Sequence, residues 1–106
     1  MIQDAIRTLA EGKSLSYDMA KAMMGQIMSG QATEGQIGAV LGMLRMTGET
    51  IDEITGCAAA MREACAPVVP KQPVFEIVGT GGDGANTFNI STTTMFVVAA
   101  GGVAVA

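Results

Sequence analysis

Glycine and proline divide this chain before any other feature does. Gly12, Gly30 and Gly48 interrupt segments whose apolar residues recur at helical spacing, and Pro67, Pro70 and Pro73 set those segments apart from a tail of different character. In the first segment Ile2, Ile6 and Leu9 mark one helical face, and Gly12 stops it. Ser16 is placed to cap a second helix, with Asp18 in the first turn where the helix dipole favours a negative charge. That helix carries Ala20, Met23 and Ile27 on one face and ends at Ser29-Gly30. Thr33 and Gln36 form a capping box, in which each side chain satisfies the other residue's free backbone N–H. After it, Ile37, Val40, Leu41 and Leu44 follow the i, i+3, i+4, i+7 pattern of a buried stripe. Thr50 and Glu53 form a second box, and the helix it opens is expected to turn Ile54, Ala58, Met61 and Cys65 inward. Pro67 and Pro70 close that helix, because proline cannot continue one. Four short helices joined by tight turns predict a small helical bundle over residues 1–70.

The segment 67–73 reads as a hinge or domain boundary. Residues 74–78 are a β-branched and aromatic run typical of a strand. A glycine-rich loop follows, then a nearly all-apolar helix over 91–100 and a second strand over 102–106. The predicted fold is therefore α + α/β: a small N-terminal helical bundle followed by the first β-loop-α-β unit of a parallel-sheet α/β domain, over 71–106. Two parallel strands alone cannot cover their faces or satisfy their edges. The pattern thus predicts a truncated piece of a longer protein.

Charge and composition remove several classes of function. The formal net charge is −4 with no basic cluster, so neither nucleic acid nor an anionic membrane is an expected partner. No apolar run reaches the roughly 18 residues of a membrane helix. The N-terminus lacks the basic and apolar regions of a signal peptide, which predicts a cytoplasmic protein. Cys57 and Cys65 lie on one predicted helix, roughly 12 Å apart at the helical rise, too far for a disulfide. There is no histidine, so a histidine base is excluded within this segment. Aromatic residues are 4% of the chain against 49% hydrophobic, which leaves the core to aliphatic residues and nine methionines.

The chemistry concentrates in the loop. Gly79-Thr80-Gly81-Gly82-Asp83-Gly84 places four glycines in six positions. Such a backbone can approach a ligand closely, and its successive N–H groups form a concave anion nest. A helix beginning near Asn89 or Ser91 adds free N–H groups and a positive dipole end that favour phosphate. Thr87, Asn89, Ser91 and Thr92 add side-chain donors. Asp83 would repel a phosphate directly, so it is suited either to ribose hydroxyls or to a cation that bridges it to a diphosphate. The loop lacks the lysine of the common mononucleotide loop, and it lacks the dinucleotide spacing with an acid about twenty residues on.

This loop, the run Asn89-Ile90-Ser91-Thr92 and the helix start Gly48-Glu49-Thr50 with Glu53-Ile54 together resemble the anthranilate phosphoribosyltransferase family of tryptophan biosynthesis. The resemblance extends from about residue 2 to residue 106. It implies transfer of a 5-phosphoribosyl group from phosphoribosyl diphosphate to anthranilate, with release of diphosphate and with Mg²⁺ as cofactor. By position, Gly79 would lie where both substrates meet. Gly82, Asp83, Thr87, Asn89, Ile90, Ser91 and Thr92 would contact phosphoribosyl diphosphate, and Ser91 would also ligate Mg²⁺. The resemblance further implies a homodimer formed through the helical domain. It also implies groups that the family carries after the position of Ala106: a Lys-His-Gly-Asn loop, an arginine for anthranilate and an Asp-Glu pair for metal. After Lys71 the chain has no Lys or Arg and two acids, Glu76 and Asp83, so the segment alone is expected to be inactive. A nucleoside phosphorylase-like enzyme and a helical dimerisation module are the alternative readings.

Overall fold

The computed structural model describes residues 1–79, 81, 84 and 89–106. It contains two compact units, Met1–Ala66 and Pro67–Ala106.

Four helices build the first unit: α1 (Ile2–Ala10), α2 (Tyr17–Met28), α3 (Glu34–Thr47) and α4 (Ile51–Ala64). Their starts follow the capping chemistry of the sequence. The Ser16 hydroxyl accepts the Met19 N–H at 3.2 Å. Thr33 and Gln36 exchange bonds of 3.2 and 3.0 Å. Thr50 and Glu53 do the same at 3.2 and 2.8 Å. α1, α2 and α3 stop at glycines in the left-handed region, with φ of 77° at Gly12 and Gly30 and 75° at Gly48, whereas α4 ends at Cys65 in extended backbone. The core combines Ile2, Ala5 and Leu9 of α1, Leu15 of the following linker, Ala20 and Met23 of α2, and Val40 and Leu44 of α3. Gln26 draws α1 onto α2 by accepting the Ile2 N–H at 2.6 Å.

The fourth helix departs from the sequence reading. Ile54, Ala58, Met61 and Cys65 do not face inward; all four are exposed, Ile54 by 56% and Met61 by 48%. The buried positions of α4 are Glu53, Gly56 and Ala60. Small residues let α4 settle closely on α2. A Cβ at Gly56 would lie 2.5 Å from the Tyr17 carbonyl oxygen and 3.0 Å from Ala20 Cβ. Leu41 of α3, expected in the buried stripe, is likewise exposed, while Val40 and Leu44 are buried.

Glu53 is the one buried charged residue among those described, at 1% exposure. One carboxylate oxygen accepts the Leu15 N–H at 2.7 Å and the other accepts the Thr50 N–H at 2.8 Å. Every buried side-chain nitrogen and oxygen among the described residues has a hydrogen-bond partner. Burial pushes the Glu53 pKa up, but the Thr50 and Leu15 amides and the Thr50 hydroxyl outweigh it and hold the group below the ordinary glutamate value.

The second unit holds α5 (Ile90–Ala100). Its start differs by one residue from the sequence reading, because Asn89 is the cap. The two strands expected over 74–78 and 102–106 are not formed among the described residues. A single parallel bridge joins Phe75 to Val105. Phe75 donates to the Ala104 carbonyl at 2.8 Å and accepts the Ala106 N–H at 3.1 Å, the slanted pairing of parallel chains. One bridge with no further neighbour on either side does not extend into a ladder. No residue of α5 is buried, and Phe96 and Val97 are each 67% exposed.

Two substitutions test the packing of α4. Gly56→Ala sets a methyl group against backbone that cannot step aside, and is expected to cost about 1–3 kcal/mol in a urea titration. Glu53→Gln turns an amide N–H₂ toward one of the two backbone donors and is expected to cost about 1–3 kcal/mol near neutral pH. A group whose pKa is depressed on folding contributes stability above its unfolded value, and that contribution is lost as pH falls through the folded value. The gap in melting temperature between the native chain and the Glu53→Gln variant should therefore shrink on acidification; a gap independent of pH would count against the account.

Candidate functional site

Of the loop between Val78 and Asn89, Gly79, Gly81 and Gly84 are among the described residues. Gly81 and Gly84 have φ of 73° and 68°, a conformation that disfavours side chains. Gly79 differs: its φ is outside that region and a Cβ there would meet nothing within 4 Å among the described residues. Nothing among the described residues therefore requires glycine at 79. The absence of a side chain there leaves open the approach of another molecule.

At the other end of the loop, Asn89 organises the start of α5. Its Oδ1 accepts the Thr92 N–H at 3.0 Å, and its main-chain oxygen accepts the Thr93 N–H at 3.3 Å. The Thr93 and Thr94 hydroxyls turn back onto the helix, donating to the Asn89 and Ile90 carbonyls at 3.0 and 2.8 Å. The amides of Ile90 and Ser91, in the first turn, have no acceptor within the helix. Free first-turn amides of this kind are the donors that phosphate meets at helix N-termini in general. Ser91 is half-buried; Asn89, Ile90, Thr92 and Gly79 are exposed.

The structure thus brings Asn89, Ile90, Ser91 and Thr92 together on one helical turn and places Gly79 where the loop begins. Gly82, Asp83 and Thr87 lie outside the described residues. No cluster of three or more His, Cys, Asp or Glu suited to a metal occurs among the described residues.

The helical unit has two notable concavities. One, of about 430 Å³, is lined by Asp18, Lys21, Ala22, Gly25, Ala60, Glu63 and Ala64, and the Lys21–Glu63 ion pair at 2.7 Å joins two of its lining residues. The other is apolar, of about 340 Å³, and includes Met24, Leu41, Leu44, Ile54, Cys57 and Met61. Burial pushes the Cys57 thiol up, with Glu53 adding to the shift, so Cys57 is a packed thiol with little thiolate character. The sequence reading missed this groove, because it assigned Leu41, Ile54 and Met61 to the core. Among the described residues no helix is long and apolar enough to cross a membrane.

Comparison with known proteins gives two family matches. Residues 3–65 match the glycosyl transferase family, helical bundle domain, and residues 71–106 match the glycosyl transferase family, a/b domain. Curated relatives include an anthranilate phosphoribosyltransferase of Ruminiclostridium cellulolyticum, 55% identical over all of this chain and 31% of its own length. One of the same name from Lachnoclostridium phytofermentans is 57% identical over all of this chain and 32% of its own. That of Methanobrevibacter smithii is 50% identical, again over all of this chain and 32% of its own length. The chain spans about a third of the length of these curated relatives.

The glycines of the loop separate by experiment. Gly81→Ala and Gly84→Ala force a side chain into the left-handed region and are expected to cost roughly 1–2 kcal/mol each. Gly79→Ala is expected to leave stability unchanged. Hydrogen exchange at the Phe75 and Ala106 amides, whose bonds form the bridge, reads the difference. Equal protection in all three variants would contradict it.

Proposed function

The chain belongs to the glycosyl transferase family, and we propose that it forms the phosphoribosyl diphosphate half-site of an enzyme that transfers the 5-phosphoribosyl group to anthranilate, releasing diphosphate, in tryptophan biosynthesis. The observation that carries this reading is the glycine loop running into an Asn89-capped helix, in a chain similar along its whole length to relatives bearing that name. Residues 71–106 then open a parallel α/β domain. The family match there, the parallel Phe75–Val105 bridge and the apolar second half of α5, Met95–Ala100, support this. A helical stretch apolar on every side is suited to burial between layers. The enzyme is assigned to the cytoplasm.

In this reading C1 of the ribose gains positive charge as diphosphate leaves, and the neutral arylamine attacks it. The new C–N bond leaves one surplus proton on the nitrogen, which passes to water or to the departing diphosphate. No base is needed before attack, so positioning and stabilisation of the leaving group carry the rate. The Ile90 and Ser91 amides receive phosphate oxygens, and Asn89 holds those amides in place. Gly79 leaves room where the two substrates meet. Gly82, Asp83, Thr87 and Thr92 complete the contacts to phosphoribosyl diphosphate. The Ser91 hydroxyl would offer Mg²⁺ one hard oxygen ligand. Bound Mg²⁺ would supply charge neutralisation, which residues 72–106 cannot, having no Lys or Arg.

The test is a chimera in which this chain replaces the matching third of the Ruminiclostridium cellulolyticum relative. The chimera should form phosphoribosyl anthranilate, and the 106-residue chain alone should not. Ser91→Ala in the chimera should weaken the apparent affinity for phosphoribosyl diphosphate about tenfold or more across a Mg²⁺ titration. Its melting temperature should hold, because the cap belongs to Asn89 and not to Ser91. Phosphorolysis of nucleosides without use of phosphoribosyl diphosphate would replace this reading with the phosphorylase one.

The homodimer implied by the resemblance is part of the proposal. Exposed Leu41, Ile54 and Met61 on α3 and α4 are apolar surface of the kind that assembly covers. Sedimentation of residues 1–69 should give a dimer; a monomer at all concentrations would remove this element and leave the transferase reading intact.

A further inference from the structure

We draw no further inference here: the strongest candidate, the apolar groove between α2, α3 and α4 that includes Met24, Leu41, Ile54 and Met61, belongs to the assembly reading already given, and nothing else in the structure shows what covers it.

Discussion

The first unit depends on the contact of α4 with α2 at Gly56. With no side chain at that position, the Tyr17 carbonyl and Ala20 come close enough that a methyl group would collide with them. That approach fixes the rotation of α4 about its own axis. Glu53, one turn earlier, is carried inward, where its two oxygens reach the Leu15 and Thr50 amides. Leu15 is thereby held at 2% exposure within the core cluster. The same rotation turns Ile54 and Met61 outward to line the apolar groove. A larger residue at 56 would disturb all three results together.

Helix boundaries were legible in the sequence because they rest on local chemistry. Ser16, Thr33, Thr50, Gln36 and Glu53 act within three residues of their partners, and such bonds are encoded by spacing alone. The inward face of α4 was not legible. Periodicity ranked Ile54 and Met61 above Gly56 and Ala60, since it weighs apolar bulk and carries no term for how close two helices can come. A buried glutamate is also unexpected by composition; its place follows from a tertiary bond to Leu15, 38 residues away. The start of α5 was bracketed correctly between Asn89 and Ser91, and the choice of Asn89 rests on its carboxamide reaching Thr92. The strand expectation went further than the chain does, because pairing is a property of neighbours, and Phe75 and Val105 form a single bridge.

The two units solve different problems. The helical unit closes a core and satisfies its buried polar groups. The second unit leaves an apolar helix exposed and concentrates its polar chemistry at one end of that helix. That end has backbone donors and hydroxyls but no cationic side chain after Lys71. Dipoles arranged in this way can orient a multiply charged anion, while neutralising it requires charge from elsewhere. In the proposed enzyme that charge would come with Mg²⁺.

The central claim, that the loop and the first turn of α5 receive a diphosphate, is open to direct measurement. The ¹⁵N-labelled chain would be titrated with phosphoribosyl diphosphate and Mg²⁺ while its amide resonances are followed. The account predicts weak, saturable shifts at Gly79, Gly81, Gly84, Ile90 and Ser91, with the amides of Met1–Ala66 unmoved. Shifts centred on the helical unit, or none at the loop and α5 at the highest ligand concentration, would contradict it.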